Sequence, residues 1–275
     1  FSSTYWLYWI FVSFFFHFIN KMYHILLISN IMIINLMTLL RVIFLILILI
    51  TPLKANTIYN LIKIPNLEIY DLKTSNKLKY FHSLKPFRLG IQKNIKCLNP
   101  DKELLDLKYK IIRKNLDIYK SNFLKKINLK YVVLCENLSI SEINTAGIPD
   151  VQTKTLILDI GFNDKYFERA IHHEIFHLIK DSNKNLFDES IWSKFNDEKF
   201  NYAECSTCTD KLNLDTYKKT NGFFSEYSKS TASEDMAEVF SHLLIGEKAK
   251  QDNILENKEN FIKSNILRIS DTFKF

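Results

Sequence analysis

The feature that most restricts this chain is the pair His173 and His177, separated by Glu174, Ile175 and Phe176. Four residues make about one turn of an α-helix, so a helix here sets both imidazoles on one face, within reach of a single Zn²⁺. The neighbouring residues agree. Asn163 or Asp164 can cap the helix start, and Phe167, Ile171, Ile175, Leu178 and Ile179 follow at helical spacing, which supplies a core stripe. Glu174 lies beside the histidines at the height needed to take a proton from a metal-bound water. His172 points about 100° away from His173 and reads as a packed or solvated histidine.

A catalytic zinc takes three protein ligands and keeps one position open. The third is not a nearby histidine of the metzincin kind, because Lys180 and Asn183 stand where that pattern needs Gly and His. Downstream, Thr231-Ala232-Ser233-Glu234 forms a capping-box pattern that opens a second helix over 234–242, with Val239, Phe240, Leu243 and Leu244 on its buried side. Glu234, held by the capped first turn, can point at the metal. Glu238, one turn later on the same face, is placed to accept a hydrogen bond from the other nitrogen of a ligand histidine. Asp235 points elsewhere and is expected only to suit the helix dipole and solvent. His242 lies two turns beyond Glu234 and could approach the site.

Around these helices the sequence predicts buried strands at 131–135 and 153–160, with Gly161 closing the second and turn chemistry at Ala146-Gly147-Ile148-Pro149-Asp150. Asn99 caps an amphipathic helix over 100–120, whose Lys-rich face reads as solvated. Residues 56–96 show weak periodicity and receive no assignment. Strands and helices in this order make an α+β domain.

Residues 1–55 hold three basic residues (Lys21, Arg41, Lys54) and no acid. Taking those three from the 37 basic residues leaves 34 against 30 acidic, so the body carries a net charge of +4 and does not read as nucleic-acid binding. From Met37 the leader has a basic head, the apolar run 42–50 and a Pro-containing end near Ala55, the three parts of a secretory signal peptide. A retained membrane anchor is the alternative, and membrane contact is expected only in that case. Either way the body, 56–275, is expected to be exported, secreted if the leader is cleaved. Four cysteines in such a domain permit two disulfides in three connectivities; Cys97–Cys135 with a local Cys205–Cys208 bridge is the preferred pairing, and reduced thiols are expected if the leader is not a signal.

His173-Glu174-x-x-His177 with Tyr227 and Glu234-x-x-x-Glu238 downstream resembles the gluzincin zinc peptidases, most of all the peptidase domain of the anthrax lethal factor type and related secreted zinc peptidases. The segments 146–150 and 222–227 also look like blocks of those proteins. The resemblance covers roughly 130–245. It implies a zincin-like fold with a small sheet and active-site helices, in which 153–160 is the edge strand that binds extended substrate. It implies His173, His177 and Glu234 as metal ligands, Glu174 as the base, and Tyr227, seven residues before Glu234, as the group facing the reacting carbonyl. The implied activity is hydrolysis of peptide bonds in peptide or protein substrates by Glu174-assisted attack of a zinc-bound water. A catalytically silent zincin-like binding module is the alternative. The long stretch between His177 and Glu234 must then fold back as an insert.

Overall fold

The computed structural model describes residues 17–22, 67–70, 74–247 and 252–275. The chain divides into two units, 1–55 and 56–275. Of the first, only a short helix over 17–22 is described, so the signal-peptide and anchor expectations fall outside the described residues. Among the described residues no helix is long and apolar enough to cross a membrane.

The body is mixed α and β. Its sheet contains β1 (Leu67–Tyr70), β2 (Lys79–Ser83), β3 (Phe87–Leu89), β4 (Ile95–Leu98), β5 (Tyr131–Ile140), β6 (Ile143–Asn144), β7 (Gly147–Asp150) and β8 (Thr155–Asp159). The spine is β5. Its first half runs parallel to both β2 and β8, and its second half pairs antiparallel with β4 and β6. The change falls near Asn137, a left-handed residue at φ 52°. The Asp159 carboxylate, at the end of β8, holds this kink by accepting the N–H groups of Asn137 (3.1 Å), Leu138 (3.1 Å) and Gly161 (2.9 Å). A Cys97–Cys135 disulfide ties β4 to β5.

Alternation along β5 and β8 divides the core. Val132 and Leu134, with Leu156 and Leu158, join the main cluster with the helices, whereas Val133, Cys135 and Ile157 face a smaller one with Phe87. The helices are α1 (Lys102–Leu116), α2 (Ser121–Lys126), α3 (Asp164–Ser182), α4 (Glu189–Ser193), α5 (Ala232–Leu244) and α6 (Asn253–Ile269). Asn163 caps α3 by accepting the Lys165 N–H, and Thr231 caps α5 by accepting that of Glu234. Helix α1 is shorter than its periodicity suggests, and its cap is Asp101 rather than Asn99.

Other expectations need correction as well. Strands β1 to β4 occupy part of the stretch left unassigned; at three to five residues each, with mixed exposure, they carry no readable alternation. The 146–150 stretch, expected as a turn, contains β7, antiparallel to β8 with Pro149 opposite Leu156. Proline suits this place because an edge strand can leave its outward side without an N–H donor. It follows that 153–160 is no edge: β8 lies between β5 and β7, and β7 is the outer strand.

Asp235, expected only to suit the helix dipole and solvent, also differs. It is completely buried and accepts hydrogen bonds from Trp192 Nε1 (2.9 Å), Tyr202 Oη (2.7 Å) and Lys258 Nζ (2.6 Å). One carboxylate thus joins α4, the irregular segment after it and α6 to the first turn of α5. Breaking a buried ion pair from one side leaves an uncompensated charge. Lys258→Met is therefore expected to destabilise the fold by about 3–5 kcal/mol, and the double variant Asp235→Asn/Lys258→Met by less, as measured by chemical denaturation.

Candidate metal centre

Helix α3 leaves the sheet directly after β8, and its mid-section is buried from Ile171 to Phe176. Helix α5 packs against it and brings Glu234 to the histidines. His173 Nε2 is 2.8 Å from Glu234 Oε2, His177 Nε2 is 3.2 Å from the same oxygen, and the two Nε2 atoms are 3.2 Å apart. His173, His177 and Glu234 are the one group among the described residues that could hold a metal ion.

The donors fit zinc in type and spacing. A tetrahedral ion with bonds of about 2.0–2.1 Å has ligand atoms about 3.3 Å apart, close to the three separations here. Their electrostatics agree. Burial works against the His173 imidazolium, yet its hydrogen bonds to Glu234 and Glu238 overrule that and raise it to about 10. Burial likewise opposes charge on Glu234, but His177 and His173 hold it well below the usual carboxylate range. A buried pair of carboxylates on one imidazole calls for positive charge, which a divalent cation supplies.

Behind the donors is a second layer of contacts. Glu238 Oε1 is 3.0 Å from His173 Nδ1; a carboxylate only accepts here, so Nδ1 carries the hydrogen and Nε2 is the nitrogen available to a metal. The Ser225 hydroxyl donates to Glu238 Oε2 at 2.9 Å, and Arg169 Nη2 and His242 Nε2 each lie 3.8 Å from it. Burial opposes the Glu238 charge, but His173, His242 and Arg169 keep its carboxyl below the ordinary range. His242, stacked on Phe224 at 4.1 Å and bonded to Glu247 at 2.7 Å, thus reaches the site through Glu238 and through Arg169 Nη1 at 3.4 Å. His172 does not reach it. Its ring is buried between Tyr119 and Asn115, 2.7 Å from each, and burial pushes it down to about 3.

Glu174 and Tyr227 complete the arrangement. Burial, opposed by His173 and His177, raises Glu174 to about 7. The Tyr227 ring centre is 5.8 Å from that of His173, and burial together with Glu234 and Glu174 raises its phenol, so it stays protonated. Its one-turn helix is tied down by the Tyr227 N–H donating to Asn213 O at 3.0 Å. The structure therefore brings together all six residues singled out in the sequence. It adds Arg169, one turn before His173 on α3, Ser225 and Gly147. A Cβ built on Gly147 would lie 2.7 Å from Glu174 Cγ and 3.0 Å from the Ile157 carbonyl, so β7 passes Glu174 at a distance only glycine permits. The centre lies in a cleft of about 600 Å³, lined by residues of the 140–149 and 206–214 segments as well as by α3 and α5.

Residues 108–270, more than half of the chain, match the family model described as "Putative zinc-binding metallo-peptidase". The chain belongs to this family of zinc metallopeptidases. Its cofactor is zinc. A protein of the same description from Bacteroides caccae, known from a crystal structure, is 19% identical, with 72% of this chain and 80% of that one covered at a TM-score of 0.42. A search of curated proteins returns no match. If this metallopeptidase binds zinc through the three donors above, Glu238→Gln should weaken zinc affinity by roughly tenfold to a hundredfold in a chelator competition, with the fold intact by circular dichroism. Unchanged affinity would show that His173 does not depend on Glu238.

Proposed function

We propose that this chain is a gluzincin-type zinc endopeptidase, with His173, His177 and Glu234 as metal ligands and Glu174 and Tyr227 as the catalytic pair. The observation that carries the reading is the convergence of two imidazoles and a carboxylate from two helices in a cleft that Glu174 and Tyr227 also line. It also rests on the resemblance to lethal-factor-type peptidases at these blocks.

When bound, zinc lowers the pKa of a water and polarises the scissile carbonyl. Glu174 accepts the proton of the attacking water and passes it to the leaving amine; burial sets its carboxyl near neutrality, where it can do both. Tyr227, held protonated, donates a hydrogen bond to the oxygen that gains charge as the carbonyl is attacked. Glu238 fixes the ring of His173 and its tautomer. The substrate lies extended along the free side of β7, the edge that runs past Glu174, and adds to the sheet through its backbone. Export of the body through the leader is part of this proposal, supported by two disulfides, which persist in oxidising compartments.

Glu174→Gln keeps the shape of the site and removes the base. It is expected to retain one zinc per chain by elemental analysis while peptide cleavage falls about 10²- to 10⁴-fold; retained cleavage would remove Glu174 from the mechanism. Gly147→Ala should lower kcat while leaving zinc content unchanged, because the added methyl displaces the Glu174 carboxylate and touches no donor. Equal kcat would mean that the close approach of β7 has no catalytic consequence.

A further inference from the structure

Glu234, Glu238 and His242 follow one another at one-turn spacing along α5, which stacks all three on one face of the helix. His242 is completely buried, yet it lines no part of the cleft. What holds its ring comes from the end of the helix. Ile245 is the C-cap, Gly246 follows at φ 79°, and the Glu247 N–H donates to His242 O at 3.0 Å. This helix end needs a left-handed residue, for which glycine is the usual choice. It turns the chain back and sets Glu247 beside His242.

The two side chains then meet. Glu247 Oε2 is 2.7 Å from His242 Nδ1, and this bond holds the Glu247 carboxyl below its ordinary range. A carboxylate only accepts, so Nδ1 carries the hydrogen. Phe224, stacked 15° from parallel, fixes the plane of the ring, and Glu247 fixes its rotation within that plane.

That rotation turns Nε2 inward, 3.8 Å from Glu238 Oε2 and 3.4 Å from Arg169 Nη1. Two lines of contact lead on from there. Glu238 bonds Nδ1 of the donor His173. Arg169 donates to Leu214 O, next to Asn213, whose carbonyl accepts the Tyr227 N–H. Glu247 itself lies outside the cleft. Its side chain is 50% exposed and lines a second cavity, of about 1180 Å³, together with Phe224 and Asp252.

We infer, on the metal-centre reading above, that Glu247 and His242 are positioning residues for the zinc site. The Glu247 hydrogen bond sets the His242 ring, and the ring sets Glu238 and Arg169. Neither residue touches a metal donor, so what passes along the line is orientation. A group bonded directly to a ligand histidine changes metal affinity about tenfold to a hundredfold, and one contact farther out the change should be about threefold to tenfold.

The experiment is the zinc affinity of the full chain, by chelator competition, in Glu247→Ala, Glu247→Gln and His173→Ala. Glu247→Ala is expected to weaken zinc binding about threefold to tenfold. Glu247→Gln should bind zinc almost as the parent does, because its amide oxygen still accepts from Nδ1. The Tm of the zinc-free protein should change little in either, since water reaches this half-exposed position and can replace the lost bond. A lower Tm with unchanged affinity in Glu247→Ala would make the contact merely structural and overturn the positioning role. Equal loss of affinity in Glu247→Gln would make the effect one of charge and overturn it too. Both results leave the metal centre standing. His173→Ala separates the two readings: it should abolish tight binding, and if it does not, the metal-centre reading fails and the outer line falls with it.

Discussion

The contact on which this structure depends is the one between Glu238 and His173, where α5 crosses α3. It joins two buried polar groups, and burying a carboxylate is costly unless its charge and lone pairs are met. Arg169, Ser225 and His242 meet them. Once Glu238 is fixed, the helical repeat places Glu234 one turn earlier on the same face of α5, beside both Nε2 atoms. The Thr231 cap makes half of its capping box and leaves the Glu234 side chain turned to the histidines. A rigid metal-binding geometry thus follows from one helix crossing rather than from loops.

The sheet does the corresponding work on the other side. Asp159 ends β8, braces the kink in β5 and bonds Gly161 just before the Asn163 cap of α3. The start of the helix is thereby set relative to the sheet. The same kink turns the second half of β5 toward β6, and the chain returns as β7 beside β8 so closely that Gly147 touches Glu174. The placement of His173, Glu174, His177 and the outer strand follows from one continuous path from β5 to α3.

What could be read in the sequence was what is local. His173 and His177 at one-turn spacing, the Asn163 and Thr231 caps, and the Glu234–Glu238 repeat each depend on residues within a few positions of one another. The structure places them as their spacing suggested, and the cysteine pairs join as expected. What escaped is non-local. Asp235 reads as a solvated acid in a helix start until the chain around Trp192, Tyr202 and Lys258 folds over it. The 146–150 stretch carries Gly and Pro, which signal a turn, and only pairing with β8 makes it a strand. The short strands β1 to β4 are defined by partners far away in sequence, not by their own pattern.

His173, His177 and Glu234 are proposed to hold the zinc. X-ray absorption at the zinc edge, with a crystal structure of the loaded protein using zinc anomalous scattering, measures this directly. The expected result is one zinc ion with two imidazole nitrogens and a carboxylate oxygen at about 2.0–2.2 Å, contributed by His173, His177 and Glu234, with Glu238 bonded to His173 rather than to the metal. Zinc bound elsewhere, sulfur ligation, or a Glu238 oxygen in the coordination sphere would contradict it.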